Sequence, residues 1–338
     1  MENLYNKYRP SKWSEVVGQD AVIKILSRQI EIDDIKNCII MSGASGCGKT
    51  TVARLFANEI NRGQGNPIEI DAASNNGVDN VKQIVASASE RAIDSKYKVY
   101  IIDEAHSLTS QAWQSFLKCI EEPPLYTIFI FCTTDPQKIP DTIKNRCMRF
   151  NFSRISSSLI NMRLVEVCNK EEFTNFTETC DYISRICNGE MRNALSLLET
   201  CASYDTNLSI DVALKALGNM SYDLYFDLVN GIIDGNNVGV FNNLQNIINS
   251  GVDLKRFIND FISFCLDVTR YSLTGSIQET KIPNSYEEKL KFAVGFNEPS
   301  KYYFYIIDKL LELKNMIKTD QDAKSTIMVV FSQMCRLK

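Results

Sequence analysis

Residues 43 to 50 read Gly43-Ala44-Ser45-Gly46-Cys47-Gly48-Lys49-Thr50 and satisfy the phosphate-loop pattern G-x-x-x-x-G-K-[ST] at every fixed position. Nothing else in the chain restricts the fold as tightly, because such a loop works only between a buried strand and the helix that follows it. Both flanks fit. Cys38-Ile39-Ile40-Met41 is a short apolar run suited to a buried strand, and Thr51 to Ile60 carries apolar residues at helical spacing. Glycines let the backbone curl until successive N–H groups face one anion at the positive end of the helix. On this reading Gly43, Ser45, Gly46, Cys47, Gly48 and Thr51 surround a nucleotide's phosphates. Lys49 neutralises the outer phosphates and Thr50 offers its hydroxyl to Mg²⁺. A chance glycine-rich turn would have no reason to carry this strand and this helix beside it.

The next hundred residues supply the acids that a phosphate loop lacks. Ile68-Glu69-Ile70-Asp71 reads as a second strand, and Val78 to Ile93 as a helix with Val81, Ile84, Val85 and Ala88 on one face. Lys98 to Ile102 is a third strand ending in Asp103-Glu104-Ala105-His106. An apolar strand that ends in adjacent acids is the Walker B pattern, in which Asp103 holds Mg²⁺ and Glu104 polarises an attacking water. The plainer alternative is a charged turn that caps a strand. A helix over Gln111 to Ile120 stops at Glu121-Glu122-Pro123-Pro124, because proline forbids its continuation. Tyr126 to Cys132 is a fourth strand; the polar Thr133-Thr134-Asp135 after it either caps the strand or senses the phosphate. Met148 to Phe152 is a short fifth strand. Strands alternating with helices predict a parallel sheet covered on both faces. From about Ile155 the alternation ends, and short helices to residue 217 are followed by helical patterning throughout 221–338.

Composition narrows the classes. A chain of 338 residues that is 44% hydrophobic and 23% charged is an ordinary globular protein with room for two or three domains. No apolar run approaches the roughly 20 residues of a membrane span, and Met1-Glu2-Asn3 opens no signal peptide. A cytoplasmic location follows as the expectation. Residues 1–154 hold 19 Lys+Arg against 18 Asp+Glu and the remainder 18 against 23, so no global basic field advertises nucleic acid. None of the eleven cysteines stands two residues from another, which makes scattered buried thiols the expectation and a zinc site not. His106 is the only histidine, leaving a Ser-His-Asp triad little to work with.

Taken together the motifs resemble those of the AAA+ ATPases, and within them the ATP-hydrolysing gamma/tau subunits of bacterial sliding-clamp loaders. The resemblance runs from about Tyr5 to Leu198. It rests on Lys7-Tyr8-Arg9-Pro10 with Val17-Gly18-Gln19, the phosphate loop, Ile68 to Ser74, Val99 to His106, Leu117 to Pro124, Thr133 to Pro140, Asn145-Arg146-Cys147, and Arg192 to Leu195. Glu-Glu-Pro-Pro and Thr-Thr-Asp-Pro-Gln-Lys are its most specific blocks.

The fold it implies is a P-loop α/β AAA+ domain with a five-stranded parallel sheet over 1–154, a small helical lid over 155–217 and an all-α collar over 218–338. The activity it implies is ATP hydrolysis with Mg²⁺ in a five-subunit spiral that opens a ring-shaped clamp and sets it on primer–template DNA, within a DNA polymerase holoenzyme. By the same resemblance Tyr8, Arg9 and Val17 line the adenine pocket, Thr133 or Thr134 is the first sensor, Arg192 the second, and Arg146 the finger that reaches a neighbour's ATP. DNA would be met without sequence reading by helix N-termini and by Ser74, Asn75, Asn76, Lys82, Thr109, Ser110 and Gln111, for which ordinary helix capping is the alternative.

Two departures stand out. The connector Asn61 to Pro67 lacks the family's four-cysteine zinc module, and the Ser-Arg-Cys triplet is here Asn145-Arg146-Cys147. A compact relative without a long polymerase-gripping tail, such as a phage would encode and use in its host's cytoplasm, would have this form. The competing readings are a non-hydrolysing subunit of the same loader and a hexameric branch-migration motor. Intact Lys49, Thr50, Asp103 and Glu104 oppose the first, and the helical 221–338 opposes the second.

Overall fold

The computed structural model describes residues 3–295, 299–318 and 322–336, so residues 296–298, 319–321 and 337–338 of the expected helical stretch lie outside it. In chain order α1 (Leu4–Lys7) and α2 (Asp20–Glu31) precede β1 (Cys38–Gly43), α3 (Lys49–Ile60), β2 (Ile68–Asp71), α4 (Val78–Ala88), β3 (Lys98–Asp103), α5 (Ser110–Glu121), β4 (Thr127–Thr133), α6 (Asp141–Lys144) and β5 (Met148–Phe152). The five strands form one parallel sheet in the order β2-β3-β4-β1-β5. β1 and β4 lie inside the sheet and are buried nearly end to end, whereas the edge strand β2 is largely exposed.

Side chains alternate across the sheet, and each face has its own core. One face sets Tyr100, Ile102, Phe129 and Phe131 against Val81 of α4 and Trp113 and Phe116 of α5. The other sets Ile39, Met41, Ile101 and Ile130 against Leu26 of α2 and Val52 and Phe56 of α3. Phe116 meets Phe129 and Phe131 edge-on at 5.7 and 5.4 Å, the geometry aromatic quadrupoles favour.

Two expectations need correction. The helix expected over Val78–Ile93 ends at Ala88. Its last carbonyls are taken by side chains of the sheet: Thr127 Oγ1 donates to Ala88 O at 2.7 Å and Lys98 Nζ to Ser87 O at 2.6 Å. Ile93 projects fully into solvent, so a longer helix would gain no burial there. The cysteines are not all free thiols: Cys38 and Cys147 form a disulfide, while nine others are free and buried. Each precedes a residue of the Ile39↔Met148 register pair, so a parallel pairing brings together residues 109 apart in sequence.

The remaining helices are α7 (Ser157–Lys170), α8 (Thr177–Ile186), α9 (Met191–Tyr204), α10 (Ile210–Ala216), α11 (Tyr222–Asp234), α12 (Asn237–Asn249), α13 (Leu254–Thr274), α14 (Glu287–Val294), α15 (Pro299–Met316) and α16 (Ala323–Met334). The chain divides into two compact units. The first comprises residues 1–167 and 187–199, and therefore holds the sheet together with the start of α9; the second comprises 168–186 and 200–338. The second is helical where described apart from one isolated β-bridge between Thr174 and Asn207, with the rings of Tyr225, Phe257, Phe261, Phe264 and Phe331 stacked in its core. There Arg185 is buried and donates from Nη1 to the carbonyls of Ile277, Thr280 and Ile282, while Asp181 balances its charge.

Candidate active site

The phosphate loop leaves β1 at Gly43, where no larger residue fits: a Cβ there would stand 2.4 Å from the carbonyl oxygen of Phe152 on β5. It enters α3 through Gly48, whose φ of +103° is a left-handed conformation open to glycine at little cost. Gln19 ties the loop down. Its buried amide donates to Cys47 O at 3.2 Å and to Ser153 O at 2.8 Å, which gives Val17-Gly18-Gln19 a structural reason to travel with the loop.

A cavity opens beside the loop, lined by Ser45 to Thr51 together with Tyr8, Arg9, Val17, Asp103, Glu104 and Arg192. Thus most residues assigned to one site from the sequence converge on one cavity within the first unit. Lys49 is buried and donates from Nζ to the loop carbonyls of Gly43 and Ala44, at 2.9 and 2.8 Å. Thr50 Oγ1 donates to Asp103 Oδ2 at 2.8 Å. A hydroxyl and a carboxylate side by side are the hard oxygen donors that Mg²⁺ takes, with water and phosphate left to complete its shell.

Glu104 adopts φ +47°, unusual for a residue with a Cβ. Such a conformation persists where the surroundings enforce it. Its Oε2 lies 3.4 Å from Thr134 Oγ1, which donates to it, and 3.3 Å from His106 Nδ1. His106 Nδ1 in turn stands 3.2 Å from Oγ1 of Thr133, a fully buried side chain. Thr133 and Thr134 therefore stand behind Glu104 and do not line the cavity. Burial and the nearby Arg54 charge lower the Arg9 guanidinium's proton affinity, and burial raises that of the Cys47 thiol.

Arg146 is elsewhere. It precedes β5, at the opposite end of the strands from the phosphate loop, and donates from Nη1 to Thr142 O while Nη2 pairs with Glu121 Oε1, both at 2.8 Å. The residues singled out for DNA are exposed. Asn76 O accepts from Thr109 N at 3.4 Å, which brings the start of α4 beside the start of α5. Thr109 also caps α5 by accepting from Ala112 N, and Lys82 pairs loosely with Asp79.

Sequence reasoning did not assign Tyr5, Ile155, Arg163 or Met191 to the cavity they help line. Three of them come from segments more than a hundred residues after the loop, and nothing in their spacing points back to it. Arg163 Nη2 donates to Tyr8 O at 3.1 Å, and Met191 N donates to Gly46 O at 3.1 Å.

Among the described residues no group of three or more His, Cys, Asp or Glu side chains is arranged to hold a metal ion. Elemental analysis of protein purified without chelator is expected to find well under one zinc per chain; one per chain would show that distant cysteines converge on a metal. No described helix is long and apolar enough to cross a membrane.

Comparison with known proteins bears on this arrangement directly. Residues 66–156 match the family model for the DNA polymerase III delta subunit, and residues 208–298 that for domain III of the DNA polymerase III gamma and tau subunits. These matches support a clamp-loader-like AAA+ protein. It is 33% identical over 300 residues to the gamma/tau subunit of Mycoplasma pneumoniae, a match covering 82% of this chain and 44% of that one. It is 33% identical over 311 residues to the tau subunit of Bacillus subtilis, covering 84% and 55%. The chain thus spans about half the length of the curated relatives it matches. Among solved structures, the RuvB branch migration motor of Thermotoga maritima is similar over 67% of this chain and 80% of its own, with a TM-score of 0.54 at 18% identity. At that identity the likeness concerns the AAA+ fold alone.

Proposed function

We propose that this chain is the ATP-hydrolysing subunit of a sliding-clamp loader. The observation that carries the reading is the convergence of Lys49, Thr50, Asp103, Glu104 and Arg192 on one cavity, in a chain whose relatives are named DNA polymerase III gamma/tau subunits. Lys49 exchanges the carbonyls of Gly43 and Ala44 for the outer phosphates of ATP. Tyr8, Arg9 and Val17 enclose the base. Glu104, its carboxylate steadied by Thr134 and His106, orients the attacking water. Thr133, bonded to His106, is the sensor that links the end of β4 to Glu104. Mg²⁺ held by Thr50 and Asp103 would screen the charge of the phosphates.

Residues 1–154 serve as the ATPase domain, 155–217 as the lid and 218–338 as the collar that joins subunits. The partners are a ring-shaped clamp, companion loader subunits in a pentameric spiral, and primer–template DNA, in the cytoplasm of a bacterium or of a phage's host. DNA phosphates meet the neighbouring starts of α4 and α5, where Ser74, Asn75, Asn76, Ser110 and Gln111 are exposed. A non-hydrolysing role would leave Glu104 without a task, yet Thr134 and His106 are built around it.

The test is ATP hydrolysis by the assembled loader with its clamp and primed DNA. Stimulation by both, with transfer of labelled clamp to the DNA, is expected. Hydrolysis indifferent to clamp and primer alike would reject the loader role.

A further inference from the structure

Arg192 is placed against the phosphate loop by the start of α9, while its side chain lies against a different element. Met191 N donates to Gly46 O, and a Cβ on Gly46 would lie 3.3 Å from Arg192 Cβ, so the start of α9 rests directly on the loop. Its guanidinium carbon, however, lies 4.9 Å from the ring centroid of Tyr5, in cation–π range. Both side chains line the nucleotide cavity. The Tyr5 hydroxyl also accepts from Asn3 Nδ2 at 3.4 Å, and that bond together with the nearby Arg192 guanidinium lowers its proton affinity. The segment bearing Tyr5 is itself fastened within the same unit: Leu4 N donates to Glu199 of α9, and Arg163 of α7 donates to Tyr8 O.

We propose that Tyr5 is a positioning residue that holds the Arg192 guanidinium over the cavity, ready for the terminal phosphate of a bound nucleoside triphosphate. An arginine has many rotamers, and an arginine free to sample them would have to be ordered each time nucleotide binds. A ring stacked on the guanidinium removes that freedom beforehand while leaving its edge N–H groups available to phosphate oxygens. The segment of residues 4–8 thereby couples nucleotide recognition to α7 and α9. This inference rests on the nucleotide reading of the cavity and adds to it a residue that the phosphate-loop chemistry does not require.

The test compares ATP with ADP, which differ only at the terminal phosphate. In the assembled protein, Tyr5→Ala is expected to weaken ATP binding about fivefold, the size of one cation–π contact, and to leave ADP binding unchanged. Tyr5→Phe keeps the ring and should retain most of the wild-type preference, which guards against a folding defect in the alanine variant. In an Arg192→Ala background, Tyr5→Ala should add nothing. Equal weakening of ATP and ADP would make Tyr5 a wall of the base pocket and overturn the proposal. So would an undiminished effect of Tyr5→Ala without Arg192, or a Phe variant as impaired as the Ala variant. Failure of the nucleotide reading itself looks different: the wild-type protein would bind neither nucleotide.

Discussion

Lys49→Ala is expected to abolish nucleotide binding, and Glu104→Gln to keep binding while cutting turnover about 10²- to 10⁴-fold. The two residues face the same cavity, and the proposed function gives them work at different stages. Lys49 is buried against the loop, with Gly43 O and Ala44 O at 2.9 and 2.8 Å around its ammonium. Its charge is fixed where the phosphates arrive, so its loss removes a ground-state contact. On the proposed function Glu104 instead acts on the water that attacks, so its loss should be felt in the transition state. Glutamine keeps the size of the side chain and can still accept from Thr134, which should preserve the unusual backbone at φ +47°. Equilibrium binding of a fluorescent ATP analogue and steady-state hydrolysis, measured on both variants, separate these effects. Near-normal turnover in Glu104→Gln would remove that carboxylate from the mechanism.

Arg146→Ala should cost about 10³- to 10⁵-fold in hydrolysis, the effect of a guanidinium supplied across a subunit interface. Within its own chain Arg146 is engaged by Glu121, but both side chains are some two-fifths or more exposed. An exposed ion pair of this kind is worth about 0–1 kcal/mol, far less than the roughly 4–7 kcal/mol that such a rate effect represents. Release of Glu121 is therefore no obstacle to a role in trans. The decisive measurement mixes two inactive proteins. Arg146→Ala chains keep a complete phosphate site, and Lys49→Ala chains keep a complete finger, so assemblies containing both should recover part of the activity. Light scattering must first show that both variants assemble. An assembled mixture as inactive as its components would mean that Arg146 serves only its own domain.

The sheet and the residues gathered at the end of its strands were legible because they are local. A strand, a glycine turn and a helix within 23 residues, Cys38 to Ile60, define the phosphate loop, and Asp103-Glu104 announces itself at the end of an apolar run. What escaped was brought together from a distance. Tyr5 meets Arg192 across nearly two hundred residues, and Cys38 meets Cys147 only because β1 and β5 are neighbours. Neither pairing leaves a periodicity to detect. The end of α4 departs from its pattern for a related reason: Val78 to Ile93 has helical patterning, but the carbonyls at Ser87 and Ala88 accept from Lys98 and Thr127 of the sheet. Tertiary partners there outweigh local preference. The motif that runs on to His106 showed its acids but not its geometry, in which the histidine stands between Glu104 and Thr133.

The separation of Arg146 from the phosphate loop has a consequence for stoichiometry. β1 runs from Cys38, beside Cys147, to Gly43, so the finger and the loop sit at opposite ends of one strand, roughly 16–20 Å apart at about 3.3 Å per residue. If the finger serves a neighbour, the contact is head-to-tail, joining two different faces. A closed ring of such contacts completes every site. An open stack has two unlike ends: the last chain holds nucleotide that no finger reaches, and the first holds a finger with nothing to reach for. An open stack then has one competent site fewer than it has chains. Defects would also be tolerated asymmetrically: a chain lacking Lys49 is silent only where its own nucleotide site is unserved, and a chain lacking Arg146 only at the other end.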